Sequence, residues 1–312
     1  MRLATVLWDR DPILAAIIGD SVLNLAACAA TLKRSRHGKD DLPSNMLELI
    51  DGGSRTITIV QRLSREAARR LKRGAWRPKV RDPLLRPVDR VRFLAPIPRL
   101  RKNVFCMGRN YAEHAKERQA DVPTVPVFFT KPPTSVIGHD APVPMHRGTA
   151  ELDYEVELAV VIGRRGVNIP RAKAYEYVFG YTILNDITAR DLQKRHMQWF
   201  KGKGLDRSCP MGPWIVHKSG VPDPHRLRIS LRVNEELRQA ASTADMVFTI
   251  PDLIEVLSAG MTLEPGDIMA TGTPAGVAAG FDPPKWLQVG DVVEAEIEGI
   301  GLLRNRIIAP LS

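Results

Sequence analysis

The chain is short of cysteine, of aromatic residues and of long apolar runs, and each shortage removes a class of protein. Its three cysteines, Cys28, Cys106 and Cys209, lie far apart and form no CxxC pair. That leaves no disulfide framework and no zinc motif, so a reducing compartment is expected. The most apolar stretch, PILAAIIGDSVLNLAACAATL (12–32), is cut by Gly19-Asp20 and again by Asn24. Neither half reaches the roughly 20 residues needed to span a bilayer. The expected local structure is strand, tight Gly-Asp turn, strand. Asp9 and Asp11 stand where a basic leader would be, so a cleavable signal is not expected and the protein is expected to be cytoplasmic. Internal repeats and low-complexity tracts are also missing.

What remains is ordinary for a soluble globular protein: 44% hydrophobic and 26% charged residues in 312, enough for one large domain or two. The net charge of +10 is unevenly spread. Residues 61–102 hold fifteen Lys/Arg against three acids, and the rest of the chain is close to neutral. An anionic-surface or nucleic-acid binding role for 61–102 is therefore one reading, from a different class than enzyme. Trp76 and Phe93 are its only aromatics and it carries no recognition motif, which favours a solvated helix face followed by a basic linker.

Residues 1–60 read as short strands followed by a helical stretch, with DLPSNMLELI (41–50) as a capped helix start. RLSREAARRLKR (62–73) is strongly helical. The prolines of residues 76–102 rule out a continuous helix and set a boundary near residue 95. Beyond it, VFCMG (104–108) leads into a short helix, Asn110 to Arg118. VFFTK (127–131), ELAVVIG (157–163), YVFGYTILN (177–185), WIVHK (214–218) and RLRISLRVN (226–234) have strand composition. A helix is expected at 250–260, with late strands in LEPGDIMATG and VGDVVEAEIEGIGLLRNRI. Many strands and few long helices predict an α+β, predominantly β domain and not a doubly wound sheet.

The acidic residues carry the chemistry. In a strand through LDYEVELAVVIG (152–163), Glu151, Asp153, Glu155 and Glu157 share one face. That row runs into the apolar stretch Leu158 to Ile162, where carboxylates either take up protons or bind a hard cation such as Mg²⁺, Mn²⁺ or Ca²⁺. A half-buried strand with a solvated acidic face fits the spacing equally well. Asp186 ends a further strand, and TARD (188–191) has the pattern of a capping box. Arg190 and Gln193 then share a helix face, as do His114 and Glu117. The second pair is a general base oriented by a carboxylate, or else a weak surface ion pair. Thr273 sits in a glycine-flanked TGTP turn able to hold a carboxylate, and Lys203 in the glycine-rich loop KGKGLDRSCP.

Taken in order, GRNYAEH, FFTKP, LDYEVELAVVIG, GYTILNDITARDLQ, SCPMGPWIV, GDIMATGTPAGV and GIGLLRNRI resemble the fumarylacetoacetate hydrolase superfamily across nearly all of residues 103–310. Residues 1–95 resemble, more loosely, the small N-terminal α/β domain of bacterial members, leaving 96–312 as a catalytic domain with a mixed β-sandwich roll. The resemblance is nearest to a bacterial branch similar to oxaloacetate decarboxylases and acylpyruvate hydrolases.

The resemblance implies that Glu155, Glu157 and Asp186 are metal ligands, for Mg²⁺ or Mn²⁺. It implies a catalytic role for the His114–Glu117 pair and for Lys203, and substrate contacts from Arg109, Tyr111, Arg190, Gln193 and Thr273. Glu151 and Asp153 match no ligand position and are expected to be solvated or to support the ligands. Arg109 stands near the place where eukaryotic fumarylacetoacetases carry an acidic fourth ligand, which turns the expectation from fumarylacetoacetate towards pyruvate-type substrates. The expected substrate is thus a small 2-oxo acid, with oxaloacetate decarboxylation ahead of acylpyruvate hydrolysis and of tautomerase or muconate-type isomerase chemistry. A homodimer is expected, with the apolar C-terminal strands available as an interface.

Overall fold

A computed structural model describes residues 1–33 and 42–311. Apolar strand-formers open the chain as β1 (Arg2–Trp8), β2 (Asp11–Ile18) and β3 (Ser21–Asn24), with Gly19 at φ 56° in the turn between the last two. The strand expected to continue past Asn24 is instead helix α1 (Leu25–Lys33). Its sequence, LAACAATLK, is dominated by the strongest helix formers, and Asn24 Oδ1 accepts the Ala27 N–H at 3.1 Å to start it.

Helix α2 (Met46–Asp51) starts where expected, with Asn45 accepting the Glu48 N–H at 3.0 Å. Asp41, the first residue of that expected motif, lies outside the described residues. The basic helix forms the second half of α3 (Gly53–Lys72), which buries Ile57, Val60, Leu63 and Ala67 along one stripe and turns its arginines outward. The proline-rich segment is more than a linker. Its short strands β4 (Leu85–Pro87) and β5 (Arg92–Phe93) pair with β3 and β1.

The chain continues through β6 (Val104–Gly108), α4 (Ala112–Glu117), β7 (Val127–Lys131), β8 (Val136–Ile137) and β9 (Val143–Pro144). Then follow β10 (Leu152–Asp153), β11 (Val156–Ile162), β12 (Val178–Asn185), β13 (Thr188–Ala189), α5 (Arg190–Arg195) and α6 (Phe200–Lys203). The last elements are β14 (Cys209–His217), β15 (Arg228–Val233), β16 (Glu236–Ser242), α7 (Ile250–Ser258), β17 (Ile268–Ala270), β18 (Val292–Ile297) and β19 (Gly301–Ile308).

The larger sheet runs β4-β3-β2-β1-β14-β12-β11-β17-β6-β7, and β1 pairs directly with β14, so the N-terminal strands continue the sheet that holds β11 and β12. A second sheet runs β16-β15-β18-β19-β9. Both are mixed: β17–β6, β14–β8 and β19–β9 are parallel pairs among antiparallel ones. Neither sheet closes on itself among the described residues. No described helix is long and apolar enough to cross a membrane.

Strand β11 lies at the centre and is buried on both faces. Val156, Leu158, Val160 and Ile162 pack with Ile229, Leu231 and Ala295 of the second sheet. Ala159 and Val161 face the other way, into the cluster that holds Leu49, Val60 and Leu63 of the N-terminal helices. This two-sided burial explains the near-continuous apolar run after Glu157.

Gly180 of β12 has no room for a side chain, because a Cβ there would lie 2.3 Å from the Val216 carbonyl oxygen of β14. Gly180→Ala is expected to cost about 1–3 kcal/mol through forced separation of the two strands. Urea unfolding followed by circular dichroism checks this, and an unchanged midpoint would show that the β12–β14 seam is looser than described.

Candidate active site

The register of β11 on β12 aligns Val156 with Asn185, so the flanking residues Glu155 and Asp186 face each other where the pair ends. The Asp186 N–H donates to the Glu155 carbonyl at 2.8 Å. Glu157 completes a trio in which one carboxylate oxygen from each residue lies within 4.8 Å of the others. All three side chains are buried.

The acidic row does not form one uninterrupted strand, contrary to expectation. Between β10 and β11 the chain leaves the ladder, and side chains take over its bonds. Asp153 Oδ1 accepts the Tyr154 N–H at 2.8 Å, and Asn185 Oδ1 accepts the Glu155 N–H at 3.0 Å. Asp153 is buried and also accepts from Arg190 Nε at 2.8 Å and from the Ala278 N–H at 2.6 Å. Glu151 lies outside this network and pairs with Lys194 at 3.0 Å.

Three buried cations close on the trio. Arg190, the first residue of α5, donates through Nη2 to Glu155 at 2.5 Å. Lys203 Nζ bridges Glu155 at 2.7 Å and Asp186 at 2.6 Å. Lys131 Nζ reaches the other Asp186 oxygen at 2.7 Å, and also donates to the Ile187 and Lys203 carbonyls. Lys203 is therefore held on α6 and not in a loop, as its glycine-rich surroundings had suggested. Thr188 does not cap α5. Its hydroxyl donates back to the Asp186 carbonyl at 2.9 Å, and Ala189 takes the N-cap position without a side-chain bond. The short β10–β13 pairing holds Thr188 in a strand and out of reach of the helix start.

The surroundings split the three carboxylates. Burial alone would raise the Glu155 pKa, but Lys203 and then Arg190 outweigh it and hold the group below the usual carboxylate range. Glu157 goes the other way. Burial, then Asp186 and Glu155, push it well above that range, against Lys203 and the Gly272 N–H, which donates at 2.7 Å. Among the described residues, Glu157 has that backbone donor and no ion-pair partner.

With Asp153 included, four buried carboxylates thus meet three cations, and the unmatched charge falls on a trio of oxygens of ligand spacing. Hard oxygen donors, an excess of negative charge and one carboxylate without a counter-ion together fit a divalent cation. Glu155, Glu157 and Asp186 would hold it.

Glu155 opens onto a cavity of about 170 Å³, whose wall also includes Arg109, His114, Arg190, Gln193, Lys203 and Thr273. The structure thus brings seven of the eleven expected site residues around one small space. The exceptions are Glu157 and Asp186, which complete the trio with Glu155, Glu117, which is paired with His114, and Tyr111, which is not part of the wall.

His114 Nδ1 lies 3.3 Å from Glu117 Oε2, and Glu117 Oε1 accepts the Gly276 N–H at 2.8 Å. Helix α4 is somewhat shorter than expected, because Asn110 is instead buried with its amide donating to the Phe248 and Thr271 carbonyls. Gln193 Oε1 accepts from Arg190 Nη1 at 3.1 Å. Gln239 Nε2 donates to the Thr273 hydroxyl at 2.8 Å while its Oε1 accepts the Val156 N–H at 3.0 Å, tying the TGTP turn to β11.

The expected substrate contact from Tyr111 is a correction. Its ring packs in the apolar cluster between the sheets and its hydroxyl has no hydrogen-bond partner. An extended backbone at the N-cap of α4, bridged to Met246, directs the ring into that cluster, where its apolar area is better buried.

Asp153 supports the ligands through Arg190, one of the two roles expected of it, whereas Lys131, Gln239, Arg118 and Trp199 have no place in the sequence-based site. A lysine closing the apolar strand VFFTK was a usable signal, since a buried cation needs a buried acid. Gln239 carried none, because its partners lie more than thirty residues away in sequence.

Glu157→Gln keeps an acceptor for the Gly272 N–H and removes the unmatched charge. Without metal, this variant is expected to melt above the wild type. Added Mn²⁺ should then stabilise the wild type, by about 2.7 kcal/mol at a hundredfold excess over Kd, and leave the variant unmoved. Differential scanning calorimetry with and without chelator reads both effects. Equal stabilisation of the two proteins would remove Glu157 from the ion's ligands.

A family model described as the C-terminal domain of fumarylacetoacetate (FAA) hydrolase matches residues 103–308. Oxaloacetate tautomerase YisK of Bacillus subtilis (strain 168) is 49% identical over 274 residues, covering 86% of this chain and 88% of that protein. Among solved structures, a fumarylacetoacetate hydrolase from psychrophilic Exiguobacterium antarcticum is 38% identical, with a TM-score of 0.79 over 99% of each chain. The maleylpyruvate hydrolase from Sphingobium sp. SYK-6, solved with manganese(II) and pyruvate, is 31% identical, with a TM-score of 0.73 over 100% of each chain. The buried acidic trio, the match across residues 103–308 and these likenesses over nearly the whole length make the chain a member of the fumarylacetoacetate hydrolase family of enzymes.

Proposed function

We propose that the protein interconverts the enol and keto forms of oxaloacetate, with loss of CO₂ as a slower competing fate of the same bound substrate. The observation that carries this reading is the His114–Glu117 pair, set at the wall of a small cationic cavity that opens on the carboxylate trio. The likeness to an oxaloacetate tautomerase supports it. It moves the emphasis from decarboxylation to proton transfer, because decarboxylation needs no base and the site is built around one.

A bound Mg²⁺ or Mn²⁺ would polarise the substrate's 2-oxo and C1 carboxylate oxygens. The protein's own groups supply the rest. Glu117 accepts from His114 Nδ1, which leaves Nε2 with its lone pair towards the cavity. Nε2 takes a proton from C3 as the C–H electron pair moves towards the C2 oxygen, and the imidazolium then gives that proton to the oxygen to complete the enol; the enol-to-keto direction reverses both transfers. Lys203 and Arg190 place positive charge in the wall where negative charge develops on that oxygen. The Gly276 N–H holds Glu117 in place, so the imidazole keeps its orientation throughout.

Hydrolysis of an acylpyruvate is a second reading, favoured by the likeness to maleylpyruvate hydrolase. In that case His114 would activate water in place of C3. The buried, unpaired thiols of Cys28, Cys106 and Cys209 agree with a cytoplasmic setting.

His114→Ala is expected to lower the rate of enol-to-keto conversion by about 10²–10⁴-fold, with Glu117→Gln falling between it and the wild type. Ultraviolet absorbance of the enol reads the rate in the metal-loaded enzyme. Full activity in His114→Ala would end the proton-transfer reading. Rapid cleavage of acetylpyruvate by a wild type inert to oxaloacetate would establish the second.

A further inference from the structure

Five cations line the cavity, Arg109, Arg118, Arg190, Lys194 and Lys203, against the single carboxylate of Glu155. Three of the five are already matched. Arg190 is held by Asp153 and Glu155, Lys203 by Glu155 and Asp186, and Lys194 by Glu151. Arg109, strained into the left-handed region at φ 57°, lays its guanidinium over Trp199, 5.6 Å from the ring centroid.

Arg118 is different. It is half-buried at the C-terminal end of α4, directly after Glu117, and its Nη1 donates to the Ala279 carbonyl at 3.0 Å. No described carboxylate pairs with it. Burial first, and then the nearby Arg190, work against its positive charge. A guanidinium in that position is completed by an anion arriving in the cavity.

We propose that Arg118 binds the carboxylate of the substrate remote from the 2-oxo acid end, which selects dianionic 2-oxo acids and protects the C3–C4 bond from cleavage. This inference rests on the reading of the site as one that handles a 2-oxo acid. The second effect follows from where charge goes in each reaction. In keto–enol interconversion the C3–H bond breaks, the proton moves to His114 and the electron pair moves towards the C2 oxygen. The C4 carboxylate keeps its full charge, so its pairing with Arg118 survives into the transition state. In decarboxylation the C3–C4 bond breaks, its electrons move towards the C2 oxygen, and C4 departs as neutral CO₂. The negative charge leaves the guanidinium, so Arg118 stabilises the ground state more than the transition state and slows that route. A single residue thereby tightens binding of the diacid and directs its fate.

The experiment compares wild type, Arg118→Met and Arg118→Lys, each loaded with Mn²⁺ and matched for circular dichroism. Calorimetric titration with pyruvate and with 3,3-difluorooxaloacetate, which has no proton at C3, reads the grip on the far carboxylate without turnover. The wild type should prefer the diacid by about tenfold or more, as a charge-assisted pair implies. Arg118→Met should lose that preference while keeping its affinity for pyruvate, and Arg118→Lys should retain part of it. With oxaloacetate, the ratio of pyruvate release to enol–keto conversion should rise several-fold in Arg118→Met.

A diacid preference that survives in Arg118→Met overturns the proposal, as does an equal loss of affinity for both ligands. An unchanged product ratio overturns its second half. A wild type that shows the Arg118-dependent preference yet does not turn over oxaloacetate would sustain the binding role and refute the reaction assigned above.

Discussion

The repulsion among three carboxylates driven together inside the fold is the constraint around which the rest of the site is arranged. Glu155, Glu157 and Asp186 are buried at a few ångströms from one another, where water cannot spread their charge. Lys203, Lys131 and Arg190 neutralise two of them, and each is itself held by a second acid or by backbone carbonyls. Glu157 is left with one N–H donor. A buried ion network one positive charge short is unstable as it stands, and a divalent cation at the trio would complete it in the same arrangement that otherwise destabilises the fold.

That arrangement depends on the backbone being fixed by something other than the charges. Two-sided burial of β11 and its register on β12 set the positions of Glu155, Glu157 and Asp186 independently of their side-chain bonds. The interruption at Tyr154–Glu155, patched by Asp153 and Asn185, is where the chain departs from regular structure in order to bring Glu155 to the trio. Gln239 reaches across from the second sheet to steady the TGTP turn, and Gly276 in the same loop holds α4 through Glu117. The site therefore stands on contacts among both sheets and the loops between their strands, which is what keeps so many like charges aligned.

Much of this was legible in the order of residues, and what was missed shares a physical cause. Strand and helix periods showed through wherever burial was one-sided or the apolar run was long, as in VFFTK, YVFGYTILN and the RLSREAARRLKR helix. LAACAATLK reads as a strand because its apolar run follows one across a turn, whereas its alanines favour a helix once Asn24 caps it. TARD looked like a capping box because the pattern is local, but pairing of Thr188 with Asp153 overrides it. The family resemblance implies a substrate contact for Tyr111, while an extended backbone turns its ring into the core. Lys131 and Gln239 have no place in the sequence-based site because their partners are brought near only by tertiary structure. Carboxylate spacing alone leaves a solvated face and a metal site equally open, and burial of the trio removes the solvated face.

The most direct measurement is anomalous diffraction at the manganese edge from crystals grown with Mn²⁺ and oxalate. A single strong peak bonded to one oxygen each of Glu155, Glu157 and Asp186, with oxalate chelating the same ion on the cavity side, is the expected result. A trio without a peak at full manganese saturation, or an ion bound elsewhere with the cavity empty, would contradict it.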